Sequence, residues 1–112
     1  VASMVSSNHI TKVLNLSFNG LDAQAIKHLA AALKENKALT SLNLTSNGLC
    51  GIDRFTGQGS YTTEGIDAIV EMLTVNKTLQ ILNLQHNFLH DLTKKMIDDA
   101  VLATGRAIQL QM

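Results

Sequence analysis

The side chains best suited to chemistry are two histidines with a neighbouring aspartate, and a single cysteine. His86, His90 and Asp91 lie close together in the sequence, and imidazole and carboxylate groups are common metal ligands. They straddle a predicted turn, however, so the spacing of the histidines does not place them on one helical face. Cys50 has no histidine or basic residue beside it, which favours a small buried thiol over a nucleophile. We therefore expect no catalytic residues, no metal site, no cofactor and no enzymatic activity.

Composition narrows the choice of partners. The 112 residues include nine Lys or Arg and nine Asp or Glu, so the formal net charge is zero. A neutral chain gives no electrostatic reason to expect binding to nucleic acid or to a membrane surface, and no apolar run is long enough to span a bilayer. A lone cysteine fits a reducing compartment and predicts a cytoplasmic location. Aromatic residues make up only 4% of the chain, which predicts an aliphatic core in one domain.

An internal repeat is the strongest signal in the sequence. Three segments share the motif: TKVLNLSFNGL (11–21), LTSLNLTSNGL (39–49) and LQILNLQHNFL (79–89). Leu14, Leu42 and Leu82 correspond, so the first step is 28 residues and the second is 40. The difference is taken up by CGIDRFTGQGSY, which we call the insert (50–61).

The segments between the motifs predict amphipathic helices over 22–36 and 62–76, because their apolar residues recur at i, i+3, i+4 and i+7. The expected terminal residues are Asp22 and Thr62 as N-caps, with Asn36 and Asn76 in the left-handed conformation as C-caps.

A third helix is predicted over 93–105, with an N-cap at Thr93. Two of its stripe positions are charged, Lys94 and Asp98, which predicts a shifted and shallower packing. The rotated apolar set comprises Met96, Ile97, Ala100 and Val101.

The pattern LxxLxLxxNxL followed by a helix resembles the leucine-rich repeat family, and the 28-residue period resembles its ribonuclease-inhibitor-like subfamily. This resemblance implies an α/β solenoid, a horseshoe segment with parallel strands on a concave face and helices on a convex face. It also implies that Asn19, Asn47 and Asn87 turn inward and bond backbone groups. Physics agrees, since such units cannot bury their apolar faces alone and must stack.

The repeats indicate a single domain over 1–112. Its parts are repeats near 11–38, 39–78 with the insert 50–61, and 79–106, followed by a partial fourth strand over 107–112. The chain is expected to be a fragment of a longer protein. Val1, Val5 and Asn8 match the end of the first predicted helix one period earlier, so we expect an earlier helix there.

Alternation along the strands sends the residues between the buried leucines to the concave face. They form four rows: Asn15, Asn43, Asn83 and Gln111; Ser17, Thr45 and Gln85; Val13, Ser41, Ile81 and Gln109; and Phe18, Ser46 and His86 beyond the strand ends. Amides in a row could bond one another as a ladder. The rows fit either an amide-rich recognition surface or a merely solvated one. The scarcity of aromatic and arginine anchors favours the second, with Phe18, His86 and Ile81 as the available anchors.

The insert is the least repeat-like part of the chain. It carries Arg54, Phe55 and Tyr61, and insertions in solenoids often contact partners. Its three glycines fit a tolerated flexible excursion equally well.

By resemblance, the chain is expected to be a non-enzymatic protein–protein interaction module or scaffold. The candidate partner-binding residues are Asn15, Ser17, Phe18, Asn43, Thr45, Ile81, Asn83, Gln85, His86, Arg54, Phe55 and Tyr61. The alternative is a regulatory arm that inhibits or activates an enzyme or a small GTPase, for which Arg54 is the arginine nearest the strand ends. The last strand, 109–112, has no successor, which predicts self-association through a terminal strand edge or a continuation of the chain.

Overall fold

Short strands and helices alternate along the chain. The computed structural model describes Val5 and residues 10–112. Its elements are β1 (Val13–Asn15), α1 (Ala23–Glu35), β2 (Ser41–Asn43), α2 (Glu64–Val75), β3 (Ile81–Asn83), α3 (Asp91–Ala103) and β4 (Gln109–Gln111). No helix among these residues is long and apolar enough to cross a membrane.

The strands form one parallel sheet in the order β1-β2-β3-β4. Leu14, Leu42, Leu82 and Leu110 are paired in register, as the repeat alignment predicts. Leu42 and Leu82 are fully buried, whereas Leu14 and Leu110 are half-buried because each edge strand has a neighbour on one side only. The predicted α/β class with parallel strands is thus confirmed.

The core is aliphatic and lies between the sheet and the helices. α1 contributes the predicted stripe Ile26, Leu29, Ala30 and Leu33. α2 contributes the predicted stripe Ile66, Ile69, Val70 and Leu73, of which Val70 is only partly buried. α3 buries Ile97 and Ala100, while Lys94 is half-buried and Asp98 is exposed. This burial confirms the rotated, shallower packing predicted for the third helix.

Two of the three motif asparagines stabilise the turns that follow the strands. The Asn47 side chain is fully buried, accepts from the backbone N–H groups of Asn19 and Leu21 at 3.0 Å, and donates to the Leu44 carbonyl at 3.0 Å. Asn87 repeats this arrangement one strand further on. The inward turn predicted for Asn19 is wrong, because its side chain is exposed and donates only to a carbonyl two residues back.

The predicted helix starts are partly wrong. Asp22 caps α1 as expected, accepting from the Ala25 N–H at 2.9 Å. Thr62 is not the N-cap of α2: that position belongs to Thr63, whose side chain makes no cap bond. Thr93 lies inside α3, which begins at Asp91, and its side chain is buried.

Asn36 and Asn76 do not take the predicted left-handed conformation. Both have extended backbones, with φ of −74° and −68°, and both are buried. Their side-chain oxygens accept from backbone N–H groups two and three residues on. The Asn76 amide also donates to the Asn36 carbonyl, and the Arg106 guanidinium donates to the Asn76 carbonyl at 2.9 Å. These bonds link successive turns at the edge of the sheet where the strands begin.

The predicted earlier helix lies mostly outside the described residues, including Val1 and Asn8. Val5 is buried against the core, and its carbonyl accepts from the Asn36 side-chain amide at 2.6 Å. An apolar residue is therefore packed before β1, as the alignment predicts for that position.

Candidate functional site

Each of the first three strands is followed by a residue with a left-handed backbone. Phe18, Ser46 and His86 have φ of 58°, 58° and 60°. Phe88 also has φ of 58°, at the position where the first motif has Gly20 with φ of 65°. This conformation suits glycine and asparagine and is strained for a bulky side chain. Strained residues of this kind cluster at functional sites.

These residues lie together with the insert in one open cleft. The cleft has a volume of ≈ 430 Å³ and is lined by Phe18, Ser46, Arg54, Phe55, His86 and Phe88. We call it the aromatic cleft. It contains all three phenylalanines of the chain, and their exposed fractions are 63% for Phe18, 79% for Phe55 and 47% for Phe88. None of the three is used in the core, so the rarest large apolar residues of this chain face solvent at one place.

Arg54 links the insert to the strand ends. Its guanidinium carbon lies 4.9 Å from the centre of the Phe18 ring and 4.2 Å from the centre of the Phe55 ring. Both distances are within the range of cation–π attraction. The guanidinium makes no hydrogen bond or salt bridge with any residue that the structure describes, so its N–H groups are available to a ligand.

A hydrogen-bonded turn holds Arg54 and Phe55 in position. The Asp53 carboxylate accepts from the N–H groups of Thr56 at 2.9 Å and Phe55 at 2.8 Å. The bond from the Thr56 N–H has the largest effect on the pKa of Asp53, followed by the bond from the Phe55 N–H, and both hold that pKa below its ordinary value. The nearby Arg54 charge adds to the effect. The Gly57 N–H also bonds the Asp53 carbonyl at 2.8 Å. This part of the insert is therefore an ordered turn, which counts against a purely flexible excursion.

The predicted row of asparagines lies on the face of the sheet opposite the helices, which we call the helix-free face. Its side chains do not form the expected amide ladder. The side-chain oxygens of Asn15, Asn43 and Asn83 accept instead from the backbone N–H two residues on, at 2.9, 2.9 and 3.0 Å. Ser17 adds a hydroxyl bond of 2.6 Å to Asn15. A side chain that satisfies its own backbone in this way contributes less to recognition than a free amide does.

The other candidates on this face differ in accessibility. Gln85 and Ile81 are exposed. The Thr45 hydroxyl oxygen is buried without a hydrogen-bond partner. The register places Ile81 between Ser41 and Gln109, as the row alignment predicts.

Tyr61 lies outside the aromatic cleft. Its ring stacks on His90 with centroids 3.5 Å apart and an interplanar angle of 4°. Its hydroxyl shares a 2.7 Å bond with the Thr93 hydroxyl and accepts from the His90 N–H at 3.1 Å. Beside it, burial raises the pKa of the Cys50 thiol, and a hydrogen bond from Tyr61 offsets part of that rise. Tyr61 therefore anchors the end of the insert to the start of α3.

The structure brings together residues that the sequence placed in separate groups. Phe18 and His86 were expected in a row beyond the strands, and Arg54 and Phe55 in an independent insert. Phe88 was missed, although the third motif reads NFL where the others read NGL. A bulky residue at a glycine position of a repeat is the signal that could have identified it.

No family model matches this sequence. The chain is 34% identical over 105 residues to the human protein "NACHT, LRR and PYD domains-containing protein 13". That alignment takes in 79% of the chain and only 10% of the relative.

Two solved structures share the fold. Leiomodin-1 actin-binding site 2 has a TM-score of 0.78 and 27% identity, and the tropomodulin C-terminal domain of Caenorhabditis elegans has a TM-score of 0.75 and 15% identity. Each similarity covers 98% of this chain, which spans 58% and 59% of the two matched chains. The chain thus has a leucine-rich-repeat-like α/β fold, of the kind found in protein-binding domains.

Proposed function

We propose that the chain is a non-enzymatic protein-interaction module that binds its partner through the aromatic cleft and the adjoining helix-free face of the sheet. The observation that carries this proposal is the exposure of all three phenylalanines around Arg54. Aromatic and arginine side chains are the residues most enriched in binding hot spots. An exposed apolar cluster with a polar rim is also the usual mark of an interaction surface.

Backbone strain supports the same surface. A left-handed conformation at Phe18 and Phe88 costs about 1–2 kcal/mol each relative to a glycine or asparagine. The rings recover little of that cost in the isolated chain, because both are about half exposed or more. Strain without compensating burial is expected where a partner supplies the missing contacts.

The finer architecture belongs to this proposal. We propose a ribonuclease-inhibitor-like leucine-rich-repeat solenoid whose sheet lines the concave side of a horseshoe. The single domain over 1–112, with its three repeats and partial fourth strand, would then be one segment of a longer cytoplasmic scaffold. The period of the motif and the in-register leucine row support this view.

Actin is the first partner to test, because leiomodin-1, which shares the fold at 27% identity, is named for an actin-binding site. The experiment is co-sedimentation of the purified chain with filamentous actin, together with affinity capture from cell extract and quantitative mass spectrometry. The test variant is Phe18→Asn with Phe88→Asn, since asparagine tolerates the left-handed backbone. The control is Leu102→Asn, which removes a 77% exposed side chain from α3.

The proposal predicts a partner that is retained by the wild type and by the α3 control and is lost from the double variant. If the chain does not bind actin, only actin is excluded as the partner, and the proposed binding surface stands. Retention that never depends on the cleft, or that depends on Leu102 instead, would refute the binding surface.

The regulatory alternative, a chain that inhibits or activates an enzyme or small GTPase, is not favoured by these similarities. It still has a simple test: stimulation of GTP hydrolysis by the wild type and its loss in Arg54→Ala. If the chain does not stimulate GTP hydrolysis, the activator role is excluded and only the binding role of Arg54 remains.

A further inference from the structure

We infer that the aromatic cleft selects a partner segment in which an Asp or Glu carboxylate stands next to an aromatic or aliphatic side chain. The inference rests on the proposed protein-binding function and specifies the chemistry of the partner. It is carried by the juxtaposition of one unpaired guanidinium with three exposed phenylalanine rings.

The guanidinium is positioned for a carboxylate. Contacts with the Phe18 and Phe55 rings restrict the Arg54 side chain before any ligand arrives. The edge of the guanidinium carries five N–H donors in a fork that matches the two oxygens of a carboxylate. Because the side chain is already ordered, binding loses less conformational entropy than it would with a free arginine.

No carboxylate lines the aromatic cleft beside Arg54, and Arg54 forms no salt bridge with any described residue. Asp53, the nearest carboxylate in sequence, lies outside the lining and is engaged with the backbone of its own turn. A positive group without an ion-pair partner on an apolar surface is complementary to an anionic group on the partner.

A single carboxylate fits this charge better than a phosphate does. Sites for phosphorylated peptides use clusters of arginines, whereas Arg54 is the one Lys or Arg side chain that lines the cleft. One guanidinium and one carboxylate form a balanced, bidentate pair.

The phenylalanine rings of the cleft determine which apolar side chain the ligand needs beside its carboxylate. Phe18 and Phe88 border the same opening as Arg54, so a side chain beside the bound carboxylate would pack against them. Burying the exposed faces of these rings contributes affinity, and the charged pair contributes selectivity.

The test is a selection of random peptides displayed on phage against the immobilised full-length chain. Enriched peptides are synthesised, and their affinities are measured for the wild type, Arg54→Gln, Arg54→Lys, Phe88→Asn and Lys37→Gln. Lys37 is the matched charge control, because it is exposed and precedes β2, at the opposite end of the strands. Circular dichroism shows which variants keep the wild-type fold.

We expect enriched peptides with an acidic residue next to an aromatic or aliphatic one. Loss of a charge-assisted pair in Arg54→Gln should weaken binding by about tenfold or more. Arg54→Lys should recover only part of the affinity, because lysine lacks the planar fork. Lys37→Gln should bind like the wild type.

Other outcomes overturn the inference in distinguishable ways. Neutral peptides that need Phe88 but not Arg54, or a preference for phosphorylated forms of the selected peptides, would refute the carboxylate and leave the cleft as a binding site. Failure to enrich any peptide would also refute the inference, while the capture experiment above decides the proposed function separately. If the cleft variants are indistinguishable from the wild type in both experiments, both proposals fall.

Discussion

Replacing Asn47 by alanine tests how far one motif asparagine holds the fold together. Its side chain is fully buried and forms hydrogen bonds with five backbone groups. These are the N–H groups of Asn19 and Leu21 and the carbonyls of Leu16, Leu44 and Thr45, at distances between 3.0 and 3.3 Å. Alanine would remove the Asn47 bonds to the Asn19 and Leu21 N–H groups and to the Leu16 carbonyl. The Thr45 carbonyl would keep its bond from the Phe18 N–H, and the Leu44 carbonyl its bond from the Asn87 amide.

The expected cost is large for a domain of this size. Each net hydrogen bond contributes about 1 kcal/mol, and a buried group left unsatisfied costs about 1–3 kcal/mol. Some of the five groups would regain water at the edge of the turn, so we expect a loss of about 3–5 kcal/mol in the free energy of unfolding. That is a substantial part of the roughly 5–15 kcal/mol available to an ordinary domain.

The assay is urea unfolding followed by far-UV circular dichroism, with Asn19→Ala as the matched control. Asn19 holds the same place in the first motif, but its side chain is exposed and makes a single bond to the Ser17 carbonyl. We expect that variant to lose less than about 1 kcal/mol. Equal effects at the two positions would refute the claim that burial and backbone bonding give the motif asparagine its role.

Four further predictions concern the cleft, the insert and the sheet edge. Phe18→Asn should change the free energy of unfolding by no more than about 1 kcal/mol, because relief of left-handed strain offsets the loss of a mostly exposed ring; a larger loss in urea unfolding would contradict this. Tyr61→Phe should cost about 1–2 kcal/mol and speed proteolytic cleavage of the insert, since its hydroxyl bonds two groups at the start of α3; an unchanged cleavage rate would count against the anchoring role. Burial raises the pKa of the Cys50 thiol above that of an exposed thiol, so the folded state favours the protonated form, and wild-type stability should decline as pH rises above about 9. Cys50→Ala should lack that component of the decline in urea titrations. Finally, if the edge of β4 pairs with another copy, the charged pair of substitutions Gln109→Lys and Gln111→Lys should lower the sedimentation coefficient at high protein concentration; a wild type that stays monomeric there would refute edge pairing.

Elements that depend on local pattern could be predicted from the sequence. The leucine rows, the parallel order and the first helix cap follow from side-chain period and from a repeat that must stack, and the structure shows them in register. Even the shifted third helix could be predicted, because charges at Lys94 and Asp98 oppose burial in the ordinary orientation.

Details that depend on neighbours could not be predicted so well. Asn36 and Asn76 were expected to end their helices in a left-handed conformation, a local preference. In the fold each has an extended backbone, and its side-chain amide donates to an earlier backbone carbonyl: Asn36 to that of Val5, and Asn76 to that of Asn36. The prediction for Asn19 was wrong in the opposite sense, because its side chain is exposed whereas that of Asn47 is buried.

The candidate site also has features that could be predicted from the sequence and features that could not. The sequence identified Phe18, His86, Arg54 and Phe55 as unusual residues by composition and position alone. It could not show that the insert folds back to place Arg54 over Phe18, because that contact joins residues far apart in the chain. It also gave no reason to expect that the Asn43 side chain would be turned to its own strand.

The repeat pattern was sufficient to predict the fold, since the spacing of Leu14, Leu42 and Leu82 dictates which side chains can be buried together. The aromatic cleft, through which we propose that a partner binds, could be found only in the tertiary structure. The path of the insert and the left-handed turns at Phe18 and Phe88 bring three rings and one guanidinium to the same cleft. Such proximity arises from packing between distant segments, which a periodic pattern does not encode.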